Sequence, residues 1–330
     1  MNVEQLRKVE LHLHLDCSLS YAVVSRIDPS ITLEQYNSQF IAPPKCKNLR
    51  DYLARAPSSY PLMQTKEHLR MVVFDLFKQL QADAVIYAEL RFAPLLHTEG
   101  GLSPREVVTS VESAVAEAVH STGIEARIIL CTLRFFSTAQ SMETVQLVED
   151  FDSTYVAAFD IAADRPGDVI TDHIPAFQYA RQKGIPFTAH VGESRGVKNF
   201  WDTVKAFSPR RVGHGVCCIQ DPQLLAYVLE HRIHLEACPT SNVQTDCYDT
   251  YADHPIDRLY RAGVSIGVNT DARTISNISL NDEYRKMNET FGWEQQDFYQ
   301  CNRNALQAAF IPEVLRQGLL DKLAAGYDHS

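Results

Sequence analysis

Nowhere does the chain of 330 residues carry an apolar run near the roughly 20 residues that a membrane-spanning helix needs. Its first stretch, MNVEQLRKVE, lacks the basic segment and apolar core of a secretion signal. The eight cysteines, at 17, 46, 131, 217, 218, 238, 247 and 301, contain no C-x-x-C pair. They read as reduced thiols of a cytoplasmic protein, not as a disulfide framework. There is no run of Lys and Arg, and 41 acidic against 31 basic residues give a formal charge of -10. That balance argues against a nucleic-acid polymer or other polyphosphate as partner, since such partners are gripped by a basic face. No membrane and no obligate protein partner is implied, and small-molecule chemistry is the reading left. Finally, no G-x-G-x-x-G opens a helix after the first strand pattern, which weakens a dinucleotide-binding sheet.

What is present is a regular alternation. Eight short β-rich runs are VELHLHL (9–15), YAELRFAP (87–94), EARIILCTL (125–133), VAAFDIA (156–162), PFTAHVGE (186–193), RVGHGV (211–216), HLEACPTS (234–241) and SIGVNTDA (265–272). Helical spacing follows them, as in EHLRMVVFDLFKQLQADA (67–84) and PREVVTSVESAVAEAVHS (104–121). Strands alternating with helices predict a parallel sheet, and eight is the number that closes a barrel. The fold class is therefore α/β, a (β/α)₈ TIM barrel forming a single domain over 1–330. Residues 16–86 are too many for one crossover helix and predict a helical insertion acting as a lid over the strand ends.

The first strand pattern holds a chemical oddity. Side chains alternate along a strand, so His12 and His14 project to one face, where burial of two imidazoles is costly unless something binds them. A single strand histidine is more often structural than a ligand. Here, however, His190 with Glu193, His214 and Asp271 also fall at strand ends, and a barrel gathers all such ends on one face. Neutral imidazoles with a carboxylate suit Zn²⁺ with an open position for water.

The set VELHLHLD, TAHVGE, RVGHG and VNTD, in this order, resembles the adenosine deaminase family of metal-dependent amidohydrolases, with YAELRFAP and CPTSN extending the likeness over nearly the whole chain. The resemblance implies that His12, His14, His190 and Asp271 hold one zinc. It implies that Glu193 protonates purine N1 while hydroxide held on the zinc attacks C6, and that His214 orients the attacking water and helps take up its proton. Asp271 would also accept a hydrogen bond from that water. The implied reaction converts adenosine or 2′-deoxyadenosine to inosine plus ammonia. Relatives with two metals bridge them by a carboxylated lysine; VAAFDIAAD offers no lysine, so one zinc per chain is expected.

The same resemblance makes Asp16 the acceptor for the ribose 5′-hydroxyl, where adenine-specific relatives carry HIEG. Helix capping is its bland alternative. Three positions depart from the family pattern. Cys17 replaces a glycine; its parity, opposite to that of the histidines, marks it as a small buried residue. Ala163 replaces a glycine whose N–H faces purine N3. Ala272 replaces a side chain aimed at N7, with Arg273 or Ser276 as candidate substitutes. The loss of that contact keeps open another 6-aminopurine substrate, such as a modified adenosine, adenine or 6-aminodeoxyfutalosine. Leu49, Tyr52, Leu53 and Tyr60 could gate ribose and purine or merely pack on the barrel. Arg91 suits an ion pair with Glu89 or another carboxylate, and Glu236 a hydrogen bond to a ligand histidine. His97, His173, His231, His234 and His254 have no partner motif.

Two readings of other classes remain. G-E-S-R-G (192–196) matches a nucleophile elbow with Ser194, but the histidine after Asp271 is His329, in the tail. A non-catalytic nucleoside-binding relative would not need the full donor set that this chain keeps.

Overall fold

The computed structural model describes residues 1–164, 170–193 and 196–327. Among the described residues there are eight parallel strands: β1 (Lys8–His14), β2 (Val85–Phe92), β3 (Glu125–Leu133), β4 (Val156–Ala162), β5 (His190–Val191), β6 (Arg211–His214), β7 (His234–Ala237) and β8 (Ile266–Val268). Hydrogen bonds run in order from β1 to β4 and from β5 to β8. Parallel bridges Phe159–Phe187 and Leu13–Asp271 join the two halves at both seams, so the sheet closes into the expected barrel.

The helices cover the barrel for the reasons their sequences suggest. Lys66–Ala82 buries Leu69, Val72, Val73, Leu76, Phe77 and Leu80, a stripe at three- and four-residue spacing, and the Thr65 side chain caps its start. Pro104–Thr122 begins with a reciprocal Ser103–Glu106 capping box and stops at Gly123, whose φ of 70° suits a residue without Cβ. Each fully buried Leu, Val or Phe of these stripes contributes about 1.5–3 kcal/mol.

After β1 the helices Tyr21–Ile27, Leu33–Gln39 and Leu49–Leu53 precede the crossover helix Lys66–Ala82. The insertion is tied to the loops after β7 and β8. Ala42 N–H donates to Ile275 O and Cys46 N–H to Gln244 O, both at 2.8 Å. Tyr52 Oη lies 2.7 Å from Ser276 Oγ. Cys17, Leu49, Tyr52, Ala272 and Ile275 form one buried apolar cluster beneath it, with Leu53 and Tyr60 packed on its edge.

The strands of the second half are shorter than the sequence suggests. They stop at Val191, His214, Ala237 and Val268, because the chain turns out through left-handed residues Gly192, His214 and Gly215 or enters the helix Pro239–Gln244. β1 also ends early, at His14, and Leu15–Cys17 form a 3-10 turn. Strand alternation therefore does not extend to Asp16 and Cys17. The parity argument for Cys17 fails, although the residue is buried among apolar neighbours as expected. Among the described residues no helix is long and apolar enough to cross a membrane.

Candidate active site

The carboxyl ends of β1, β5 and β6 and the loop after β8 bring four sequence-distant donors together. Ligand-capable atoms of His12, His190, His214 and Asp271, all buried, lie within 4.8 Å of one another. His14 joins them, its Nε2 3.0 Å from His190 Nε2 and 3.3 Å from Asp271 Oδ1. His12 Nε2 stands 3.4 Å from the same carboxylate oxygen and has no hydrogen-bond partner.

Hydrogen bonds behind the rings decide which nitrogens are free. His12 Nδ1 donates to Glu236 Oε2 at 2.8 Å, and His190 Nδ1 faces Asp160 Oδ2 at 3.0 Å. Both rings thus turn an unprotonated Nε2 toward Asp271 and His14. His214 differs. The Ile256 N–H donates to His254 Nδ1 (3.3 Å), leaving the His254 proton on Nε2, which donates to Asn242 Oδ1 (3.1 Å). Asn242 Nδ2 then donates to His214 Nδ1 at 3.1 Å, so neutral His214 carries its proton on Nε2. That atom points at Glu193 Oε2, 3.2 Å away. A protonated nitrogen is not a metal ligand. The set that fits a metal is therefore His12, His14, His190 and Asp271, with His214 beside it as a hydrogen-bond donor.

The charges beneath the site favour a cation. Arg91 pairs with Asp160 (2.8 Å) and Glu236 (2.6 Å), and Arg211 with Glu236 (2.7 Å) and Glu89 (2.6 Å). Three buried carboxylates thus face two guanidiniums, an excess of one negative charge before Asp271 is counted. Arg91 bonds Asp160 and Glu236 and not Glu89. Against the cost of burial, Arg91 and Arg211 hold the Glu236 carboxyl well below its ordinary range. Removing one member of such a buried network costs about 3–5 kcal/mol.

Two neighbouring groups are pushed in opposite senses. Burial raises Glu193 to about 7, with Asp271 adding to the rise. Burial pushes His214 well below 6.5. The pair consists of a carboxyl that keeps its proton near neutrality and an imidazole that stays neutral, the division used where acid and base roles are separated.

The other expected residues are placed as follows. Leu49, Ala163, His190 and Glu193 line one small cavity of about 10 Å³ with Arg134 and Gly192. Ala163 sits at φ 70°, so its backbone adopts the left-handed conformation that a glycine would take, at a cost of about 1–2 kcal/mol. Asp16 is buried, accepts from Ala93 N–H at 3.2 Å and lies 3.8 Å from His97 Nε2. Burial opposes its charge, but the His97 contact and neighbouring histidine charges hold the carboxyl below its ordinary range. Arg273 does not replace the side chain missing at Ala272. Its guanidinium is committed to Glu10 (2.5 Å) and Asp83 (2.7 Å), away from the site. Ser276 is held by Tyr52. Ser194 and His329 lie outside the described residues.

Several contributors carried little sequence signal. Asp160 was visible as a charge inside the apolar run VAAFDIA, which demands a partner once buried. Ser241, which donates to Asp271 Oδ2 at 2.7 Å, together with Asn242 and His254, was not visible, since these act only through contacts across loops. Gly213 was also missed: a Cβ there would stand 2.7 Å from His12 Cε1 and 3.2 Å from the His190 Cα. Only a glycine leaves room for that ring.

A family model described as adenosine deaminase matches residues 7–326. The chain belongs to the adenosine deaminase family. The adenosine deaminase of Clostridium acetobutylicum is 33% identical over 334 residues, covering 98% of this chain and 100% of its own. Among solved structures, adenine deaminase from Arthrobacter aurescens superposes with a TM-score of 0.88 at 20% identity, covering 96% of this chain and 98% of its own. A zinc-bound amidohydrolase from Burkholderia ambifaria reaches 0.89 at 22%, covering 99% and 92%. At those identities the structures show the barrel. Family membership makes the protein a metal-dependent hydrolase of C–N bonds in cyclic amidines, and the relatives support deamination of a 6-aminopurine.

Proposed function

We propose that the protein deaminates adenosine and 2′-deoxyadenosine to inosine or 2′-deoxyinosine plus ammonia, with one zinc held by His12, His14, His190 and Asp271. The single observation that carries the reading is Glu193. A buried carboxyl that keeps its proton to about 7 stands beside a neutral His214 at the edge of a donor cluster suited to zinc. The metal, when bound, lowers the pKa of water towards roughly 7 and so supplies a nucleophile.

The chain's own residues do the rest. Glu193 donates its proton to purine N1, which draws electrons from C6 and opens it to addition. His214, through Nε2–H, donates a hydrogen bond that orients the attacking oxygen, and Ile256, His254 and Asn242 fix the proton on that nitrogen. With His214 a donor in this tautomer, the acceptor for the water's proton is Asp271, whose Oδ2 is steadied by Ser241. Asp16 accepts the ribose 5′-hydroxyl; an ionised carboxylate has lone pairs left after the Ala93 contact. The Ala163 N–H faces N3. Leu49, Tyr52 and Leu53 close over the purine as a lid.

A second reading, another 6-aminopurine as the preferred substrate, is favoured by one observation. Ala272 sits within the apolar cluster of Leu49, Tyr52, Cys17 and Ile275, where the Tyr52 hydroxyl is already engaged by Ser276. Ammonia release from adenosine, 2′-deoxyadenosine, adenine, a 6-methylaminopurine nucleoside and 6-aminodeoxyfutalosine separates the two. Adenosine and its deoxy form are expected to lead, chelation of zinc to abolish turnover, and a serine-reactive phosphonate to leave it intact. Adenine turnover without adenosine turnover would remove Asp16 from its role. The Ala272→Asp variant is expected to raise kcat/KM for adenosine about tenfold, the worth of one hydrogen bond in a closed site. A fall on adenosine combined with faster turnover of a different 6-aminopurine decides for the second reading.

A further inference from the structure

The largest cavity described lies at the opposite end of the barrel from the metal-ligand cluster. It has a volume of about 1260 Å³ and opens at the amino ends of β5 to β8. Arg211 and His234 begin β6 and β7, and Ser265 precedes β8. None of the catalytic or substrate residues assigned above lines it.

Its lining is chemically one-sided. In a chain with ten more acidic than basic residues, every charged side chain on the wall is an arginine: Arg181, Arg210, Arg211, Arg232, Arg261 and Arg316. Among the described residues no Asp or Glu lines it. Three of these arginines already have work. Arg211 is bound to Glu89 and Glu236 and stacks on Phe310, 4.0 Å from the ring centre. Arg261 pairs with Asp257 and Asp297, and Arg316 with Glu313 and several helix carbonyls. Arg181, Arg210 and Arg232 are exposed and have no carboxylate within ion-pair distance among the described residues. Arg181 reaches only the carbonyl of Phe207. Arg232 occupies a left-handed backbone position, φ 50°, where a glycine would be free of strain.

Phe187, Tyr260 and Phe310 add flat apolar walls to the cationic ones. Guanidinium forks match phosphate oxygens two at a time, and unlike ammonium groups they also lie flat against rings.

We propose that this cavity binds a small polyanion of the phosphate class, with Arg181, Arg210 and Arg232 as its phosphate contacts. The aromatic walls suit a phosphate ester that carries a ring, such as a nucleoside diphosphate, and inorganic pyrophosphate shares the same anionic chemistry. The floor of the cavity is not isolated. Arg211 reaches Glu236, and Glu236 holds His12 in its tautomer, so occupancy is two hydrogen bonds from the metal-ligand cluster. The site is independent of which purine the barrel mouth accepts.

Calorimetric titration of the zinc-loaded full-length protein at low ionic strength, with pyrophosphate, ADP and citrate as separate probes, tests this. Saturable binding of pyrophosphate and ADP at one per chain is expected, weakened at least about tenfold in the double variant Arg210→Ala/Arg232→Ala. That variant should keep full deaminase activity, which certifies its fold. Tighter binding of ADP than of pyrophosphate assigns the aromatic walls to a ring, and equal binding assigns the site to the phosphates alone. No saturable binding of either phosphate, binding unchanged by the double substitution, or citrate bound as tightly as pyrophosphate would each overturn the proposal.

Discussion

The two halves of the barrel are built differently. β1 to β4 run for seven, eight, nine and seven residues, whereas β5 to β8 run for two, four, four and three. The first half contributes the longer paired stretches, with register shifts within the β1–β2 and β3–β4 pairings. The second half leaves the ladder early, and at those exits stand Glu193, His214 and Asp271. His214 and Asp271 have φ values of 59° and 66°, conformations that non-glycine residues hold only when their surroundings over-determine them. Regular pairing holds a backbone but fixes each side chain's direction to the pleat. Releasing the chain lets a carboxylate turn across the barrel mouth, at the cost of local strain that the long half must support.

The sharpest way to break this contrast is Gly213→Ala in β6. Its Cβ would collide with His12, so loss of zinc and near-complete loss of turnover are expected, read by metal analysis and ammonia release. A variant that kept stoichiometric metal would show that the short half has more slack than its packing allows. Next comes Glu193→Gln, which leaves the shape but removes the proton. A fall in kcat of about 10²–10⁴-fold is expected with metal content unchanged. The proposed reaction requires Glu193 to be protonated, and burial raises its carboxyl to about 7. Activity on this limb should therefore hold below pH 7 and drop about tenfold per pH unit above it, and that limb should vanish in the Gln variant.

A change in the long half should do the reverse. Leu90→Ala in the fully buried β2 is expected to cost about 2–5 kcal/mol in denaturant unfolding while kcat per folded molecule stays put. The smallest effect is expected at the junction of the halves. Ala163→Gly removes the Cβ from a residue at φ 70° and should stabilise by up to about 1 kcal/mol, seen as a small rise in Tm. Loss of stability instead would mean that the Ala163 methyl, packed beside Ala162 and Leu133, outweighs the strain.

The long half was the more legible from sequence. EARIILCTL and VAAFDIA are strand-length apolar runs, and the structure places β3 and β4 on those residues. The short half was legible in its chemistry and not in its geometry. His190, Glu193, His214 and Asp271 stood out by residue type, yet the strands expected around them overran by two to four residues. Left-handed exits at His214 and Asp271 are tertiary outcomes that no propensity for those residues announces. Asp16 shows the same limit in the long half, since β1 ends two residues before it and alternation could not fix its direction.

The sequence by itself determined the barrel and singled out side chains of metal-ligating type near its strand ends. Those rest on local patterns: period-two and helical spacing, and donors placed near strand ends. The tertiary structure alone decided which nitrogen of each histidine is free, because Glu236, Asp160 and the Ile256–His254–Asn242 chain reach those rings from elsewhere in the fold. It also decided where the positive charges gather. A net of -10 with no basic run gave no hint that folding gathers six arginines, spread from 181 to 316, around one cavity. Net charge sums over the whole surface, whereas a ligand meets only the charges that the fold places within reach of it.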